Sequence, residues 1–356
     1  MKTRYLVSFA AVAILLALYA VMPLAGTASA SDGGATVTLS TDATYFAADQ
    51  PVIVHVTITN PTGHSLKLLK WHTPVDDVEG PLFSVYQNGL KVAYIGPLYK
   101  RPKPAHDDYA NLKAGESITR DVDLGLYYDL SASGNYTISY DTSSWELYSE
   151  KGNGKKEADR LTSNELKLSI TGRTYSLPPT DQSSAVSGRT SYAKCTADQQ
   201  TTLTNARIQA STYSADALSY LNKGKFDSRY ITWFGTYNTL RYSTVDDHFV
   251  KISNAMDTAA VTFDCGCKKN YYSYVYPTKP YVIYLCRVFW KAPLAGTDSQ
   301  GGTLIHEMSH FNTVASTNDY VYGQAGAMNL ALTNPDHAIA NADNHEYFAE
   351  DNPPLP

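Results

Sequence analysis

The chain is poor in cysteine and in charge, and it has no long basic run. The first 194 residues contain no cysteine; Cys195, Cys265, Cys267 and Cys286 all follow. Nothing can therefore staple the first part of the chain covalently, and it must hold itself by its core. Charged residues make up only 18% of the sequence, with a formal net charge of −5. Without a Lys/Arg run, nucleic acid is excluded as a partner. After Leu24 no stretch is long and apolar enough to span a bilayer. What remains is a tyrosine-rich globular chain of 356 residues with 28 Tyr, long enough for about two domains.

The beginning of the chain carries Lys2 and Arg4, then an uncharged, mostly apolar run from Leu6 to Leu24, then Ala28-Ser29-Ala30. Residues 1–30 read as a secretory signal peptide cleaved after Ala30. This implies a secreted, extracellular protein with no stable membrane association after cleavage. In an oxidising compartment an even number of cysteines reads as disulfides. Four cysteines allow three pairings, and Cys265 lies too near Cys267 for an easy bridge between those two.

Residues 31–173 read as an all-β domain. Val52, Val54, Val56 and Ile58 alternate with Ile53, His55, Thr57 and Thr59. Leu82–Gln87 and Leu90–Ile95 flank Asn88-Gly89, a strong hairpin signal. Tyr136, Ile138 and Tyr140 alternate, as do Leu166, Leu168 and Ile170. Short strands separated by turn residues predict a β-sandwich of immunoglobulin-like architecture. Asn135-Tyr136-Thr137 is a glycosylation sequon. Residues 174–189 lack periodicity and are rich in Ser, Thr, Pro and Gly, which makes them a linker and a site for proteolytic processing.

From Thr196 the period changes to 3.6, which predicts a mainly α-helical domain over 190–356 with a small β-sheet. Leu203, Ala206, Ala210, Tyr213, Ala217 and Leu221 form one stripe, ended by Gly224. A second helix is expected to open at Ser243 and run through Val245, Phe249, Ile252, Met256 and Ala259. Val261–Phe263 and Tyr281–Leu285 read as short strands. Two more helices are expected, over about Ser299–Val314 and Asp336–Phe348.

The first of these contains His306-Glu307-Met308-Ser309-His310. Positions i and i+4 of a helix share a face, so two imidazoles can serve one Zn²⁺, and Glu307 is placed to act on water. A catalytic zinc needs a third protein ligand and an open position. A third histidine after a glycine, the metzincin pattern, fails here because Thr313 and Ser316 stand at those positions. A glutamate from a later helix, the gluzincin solution, would be Glu346. An aspartate soon after the helix would be Asp319, in Asp319-Tyr320-Val321-Tyr322-Gly323. The other histidines, including His55, His72, His248 and His345, have no ligand spacing.

The D-x-x-Y-G pattern at 319–323 resembles the deuterolysin-type aspzincin metallopeptidases, and most closely the peptidyl-Lys metalloendopeptidases. The resemblance runs from about Thr190 to Pro353 through TWFGTY (232–237), VYPTKPY (275–281), GTDSQGGTLIHE (296–307) and NADNHEYFAED (341–351). The Gly-Thr expected upstream of the aspartate is altered to Ala315-Ser316. The resemblance implies one Zn²⁺ per catalytic domain, held by His306, His310 and Asp319. It implies Glu307 as the general base and Tyr322 as the oxyanion donor. It implies Cys195–Cys265 and Cys267–Cys286 bridges, and an acidic S1′ pocket of Asp343 and Glu346, which share a helix face at i and i+3.

These readings lead to a secreted zinc endopeptidase, made as an inactive preproprotein, that cuts protein and peptide substrates at X–Lys bonds. Residues 31 to about 189 would be its own intramolecular inhibitor. Within them the proline-stiffened segment Pro97–Pro104 offers Lys100 or Lys103 to the acidic pocket as a substrate mimic. Gly188-Arg189-Thr190 contains no lysine, so either another protease cuts there or the enzyme cuts itself between Ala193 and Lys194. The alternatives are a deuterolysin-like protease of broader specificity, and a non-catalytic secreted binding protein with a structural zinc site.

Overall fold

A computed structural model describes residues 34–149, 158–172 and 189–355. The expected signal peptide and nearly all of the expected linker lie outside them. The N-terminal region is β-rich and the C-terminal region is helical with a small sheet.

In the N-terminal region, Thr36–Ser40, Ile53–Thr59 and Ser117–Asp123 form a three-stranded antiparallel sheet. The period-two expectation holds in Ile53–Thr59, where Val54, Val56 and Ile58 are buried and their neighbours are half-exposed. A second sheet is centred on Gly134–Ser144, flanked by Phe83–Gln87 and Leu166–Ile170. Asn88 and Gly89 turn the hairpin with φ of 49° and 82°, the pair of positive values that a two-residue hairpin loop requires. The strand after that turn is shorter than expected, Leu90–Lys91 only. Buried apolar side chains of both sheets, among them Val37, Val56, Val85, Ile138 and Leu168, form one core.

In the C-terminal region seven helices are described: α1 (Ala197–Asn222), α2 (Ser228–Phe234), α3 (Thr239–Thr258), α4 (Gln300–His310), α5 (Gly323–Thr333), α6 (Pro335–Ala338) and α7 (Ala342–Glu350). α1 opens on a Thr196/Gln199 capping box. α3 starts four residues before Ser243, because Asn238 Oδ1 accepts from the backbone N–H groups of Leu240 and Arg241. The expected single helix over Asp336–Phe348 is two, α6 and α7, broken at Asn341. Its buried side chain accepts from the backbone N–H groups of Tyr320 and Val321 and makes no hydrogen bond that caps α7. The disulfides are Cys195–Cys265 and Cys267–Cys286. Among the described residues no helix is long and apolar enough to cross a membrane.

One sheet joins the two regions. Its order is Ser191–Ala193, Thr262–Asp264, Val282–Leu285, Ser273–Val275 and then Leu98–Lys100. The last strand comes from the N-terminal region and runs antiparallel to Ser273–Val275, with Lys100 opposite Ser273 and Tyr99 opposite Tyr274. Neither strand of this pair was expected from the sequence. Both are three residues long, too short to show a period.

Candidate active site

Every residue of α4 is buried, so this helix is the axis of the C-terminal core, packed between α1 and α7. Ser299 caps it by accepting from Gly302 N–H. Gly302 lets α7 approach closely, since a side chain there would run into Glu350. This approach brings the α7 carboxylates to the imidazole of His306.

His306 and His310 lie one turn apart with ring centroids 4.8 Å apart. Asp319 Oδ1 is 3.1 Å from His306 Nε2 and 3.4 Å from His310 Nε2. The loop that returns Asp319 passes Ser316, whose φ of 52° is left-handed. Thr317 anchors the loop: its carbonyl accepts from His310 Nδ1 at 2.9 Å, and its hydroxyl lies 2.6 Å from that of Ser309. The His310 bond fixes the tautomer and leaves Nε2 free to ligate. Asn341 holds the far side, its Oδ1 accepting from Tyr320 and Val321 N–H.

This corner fits a zinc ion. His306 Nε2, His310 Nε2 and both Asp319 oxygens are buried and make no hydrogen bond. Buried donors and acceptors normally find partners, and two imidazole nitrogens with one carboxylate form a catalytic zinc donor set. Burial would raise the pKa of Asp319, but His310 and His306 hold it well below the usual carboxylate range. Glu307 points one oxygen to Ser273 Oγ, which donates at 2.6 Å, and leaves Oε2 unpartnered. Burial raises its pKa, opposed by His306 and His310.

Asp343 and Glu346 come together with His306, but on its other nitrogen. Nδ1 lies 2.8 Å from Asp343 Oδ1 and 3.3 Å from Glu346 Oε2. This geometry separates Glu346 from the two Nε2 atoms and so weighs against Glu346 as the third ligand. The same two carboxylates face Lys100, whose Nζ is 2.6 Å from Glu346 Oε2 and 3.6 Å from Asp343 Oδ1. Lys100 is fully buried, against the rings of Tyr272 and Tyr347. Burial would lower its pKa, but Asp343 and Glu346 hold it well above the usual value, so it stays an ammonium. Lys103 is not in this pocket; it lines a groove further along the interface.

Tyr322 donates its hydroxyl to the carbonyl of Tyr99 at 2.8 Å. Arg101 Nη1 donates in turn to that hydroxyl at 2.7 Å. Burial keeps the phenol protonated, with a pKa well above its ordinary value. The Arg101 guanidinium lies among Trp71, Tyr99, Tyr271 and Tyr322 and donates to the carbonyl and carboxylate of Glu79.

Residues 219–350 match the family described as lysine-specific metallo-endopeptidase, the aspzincins. Over 310 residues the chain is 43% identical to an extracellular protease of Aeromonas hydrophila, covering 85% of this chain and 88% of that protein. The chain belongs to the aspzincin metalloendopeptidases. It is therefore a zinc-dependent enzyme that hydrolyses peptide bonds. A peptidyl-Lys metalloendopeptidase of Armillaria mellea is 38% identical over 311 residues, covering 84% of this chain and 87% of that one. A solved zinc peptidase from Grifola frondosa is 46% identical and covers 45% of this chain and 99% of its own, at a TM-score of 0.42.

Sequence reasoning missed Ser273, Arg101, Asp298 and Asn341. Arg101 stood beside a residue it did single out. Asn341 stood in the resemblance as the first residue of NADNHEYFAED.

Proposed function

We propose that this aspzincin cuts X–Lys bonds and is a secreted enzyme made as a preproprotein, silenced by its own N-terminal region. The observation that carries this reading is the seating of Tyr99-Lys100. The strand runs antiparallel along the Ser273–Val275 edge, as an extended peptide adds to a sheet. Lys100 fills the acidic cup, and the carbonyl before it accepts from Tyr322. The chain thus presents the Tyr99–Lys100 bond as a substrate would be presented.

In this reading His306, His310 and Asp319 hold the zinc. A Zn²⁺ there would supply Lewis-acid chemistry, polarising the scissile carbonyl and acidifying a water. Glu307, steadied by Ser273, takes a proton on its free oxygen and returns it to the leaving amine. Tyr322 donates a hydrogen bond to the carbonyl oxygen on which negative charge develops. Asp343 and Glu346 serve twice, orienting His306 through Nδ1 and receiving the substrate ammonium.

Residues 31–173 are read as the propeptide, and two sheets sharing one apolar core support an immunoglobulin-like sandwich. Self-cleavage between Ala193 and Lys194 is disfavoured. Ser191–Ala193 is a strand paired with Thr262–Asp264, and Lys194 is paired with Asp264. A cut upstream of Ser191 by another protease fits better.

A denatured protein digested with the active enzyme recovered from the culture medium tests the specificity. New N-termini should be dominated by Lys, as read by mass spectrometry. A digest in which Lys is not enriched would sink the assignment while leaving the metal site intact.

A further inference from the structure

The acidic cup has a wall that the pairing of Asp343 with Glu346 does not account for. Asp298 Oδ1 lies 3.1 Å from Lys100 Nζ. It comes from the turn before α4, far from α7 in sequence. We propose that Asp298 is the third carboxylate of the S1′ cup, and that by completing a tripod round a primary ammonium it sets the preference for Lys over Arg. This rests on the reading of Lys100 as a bound substrate mimic.

The three carboxylates are not equivalent. Asp343 and Glu346 are almost fully buried, and both also face His306 Nδ1. Asp298 faces no imidazole, and its side chain is 38% exposed, so it forms the lip of the cup. Its position is built. Tyr347 donates its hydroxyl to Asp298 Oδ1 at 2.7 Å, and the backbone N–H of Asp298 donates to Glu350 at 3.2 Å. The residue is held at φ 52°, a left-handed conformation that non-glycine residues seldom adopt and that Asp tolerates better than most. Ser299, next in the chain, is fixed to Glu350 through both its N–H and its hydroxyl.

The chemistry of the two cations explains what a third wall does. An ammonium carries three N–H donors on one compact atom and can sit among three carboxylates; Lys100 donates to Asp298 and lies at ion-pair distance from Glu346 and Asp343. A guanidinium spreads five donors over a plane and is best met by a flat, paired acceptor. Two carboxylates at i and i+3 of α7 alone would leave room for either. Asp298 adds a carboxylate from a second element 3.1 Å from the cation, and the Tyr272 ring lies 4.9 Å from the same Nζ, so the cup is built round a compact cation and not a plane.

The test uses Asp298→Asn in the full chain, assaying the active enzyme that the chain yields. Asparagine keeps the shape, suits the left-handed backbone and still accepts from Tyr347. Peptide pairs differ only in Lys or Arg after the cut bond. The Lys-to-Arg ratio of kcat/KM should fall about 10-fold or more, with the loss on the Lys peptide appearing mainly in KM. Asp298→Gly, which also suits the backbone, should move the ratio the same way, so a failure of one variant to fold does not remove the test. Glu346→Gln is run beside them. If the Lys preference survives Glu346→Gln, the acidic-cup reading itself is overturned. If it collapses there but stays unchanged in both Asp298 variants, only the role of Asp298 is overturned.

Discussion

The two regions bury charge for different ends. Among the described residues up to 172, the only buried charged side chains are Lys100, which meets carboxylates of the other region, and Arg101, which pairs with Glu79 of its own region beside Tyr271 and Tyr322. The C-terminal region buries Arg207, Arg229, Asp264, Glu307, Asp343, Glu346 and Glu350 within itself, with His306, His310 and His345. An unpaired buried charge costs several kcal/mol, so each cluster needs a reason to persist. The N-terminal core needs none of it. It is apolar, and at the interface Lys100 meets Asp298, Asp343 and Glu346 of the C-terminal region, while Arg101 pairs with Glu79 of its own. In the proposed latent form, one positive charge, that of Lys100, is thus a loan across the interface.

The sharpest way to break that comparison is to remove buried charge from the catalytic side. Glu307→Ala should lower peptide hydrolysis by about 10²–10⁴-fold, the usual weight of a general base. Its effect on folding should be neutral or favourable, because Glu307 is buried with one oxygen unpartnered. Hydrolysis and the urea midpoint of the full chain measure the two sides. A variant that loses activity only in proportion to lost folded protein would show that the charge serves the fold.

The second way is to withdraw the loan. Lys100→Met keeps the length and apolar stem but leaves Asp298, Asp343 and Glu346 without their cation. Truncating one partner of a buried charge pair costs about 2–5 kcal/mol, so the unprocessed chain should gain about 30-fold or more in activity on a small Lys peptide. Activity of intact wild-type and Lys100→Met chains, with the linker shown uncut by mass spectrometry, decides it. Equal activities would mean that the strand pairing and Arg101 hold the region in place without Lys100.

These two sites differ in how much of them the sequence disclosed. His306, His310 and Glu307 could be singled out because helical spacing fixes which side chains share a face, whereas the Asp343/Glu346 pocket came from the family resemblance, and spacing only put the two on one face. Asp319 and Tyr322 needed the D-x-x-Y-G pattern, since a loop has no period to read. Asp298 stood within GTDSQGGTLIHE but was not singled out, because the role proposed for it depends on a left-handed turn and on a lysine 198 residues away. Ser273 and the Leu98–Lys100 strand were hidden for a related reason: a three-residue strand is defined by its partner and carries no pattern of its own. The split between α6 and α7 was missed because Asn341 looks like any polar helix residue until its backbone partners at 320 and 321 are known.

The smallest expected effect sharpens the comparison from within the catalytic region, by asking which of its buried polar groups serve the fold. His345 Nδ1 donates to the carbonyl of Asn341 at 2.9 Å, so its Nε2 accepts, and His248 Nδ1 donates to it at 2.9 Å. Both rings are neutral in this arrangement. Burial pushes His345 down to about 3, helped by His248, His306 and His310. Burial pushes His248 down to about 4, with Asp247 opposing and Lys251 assisting. An unfolded histidine titrates near pH 6.5. Between pH 6.5 and about 4, therefore, the unfolded chain takes up protons that the folded chain refuses, and stability falls as the pH falls. From pH 7 to 5 each ring should contribute about 1–2 kcal/mol of that loss. His345→Phe replaces one ring by a residue suited to its contacts with Phe234 and Phe249, and it cannot titrate. The drop in urea midpoint between pH 7 and 5 should be smaller in His345→Phe than in the wild type. An equal drop in the two proteins would show that the acid sensitivity arises elsewhere, and the pair would then have no measurable role in the fold.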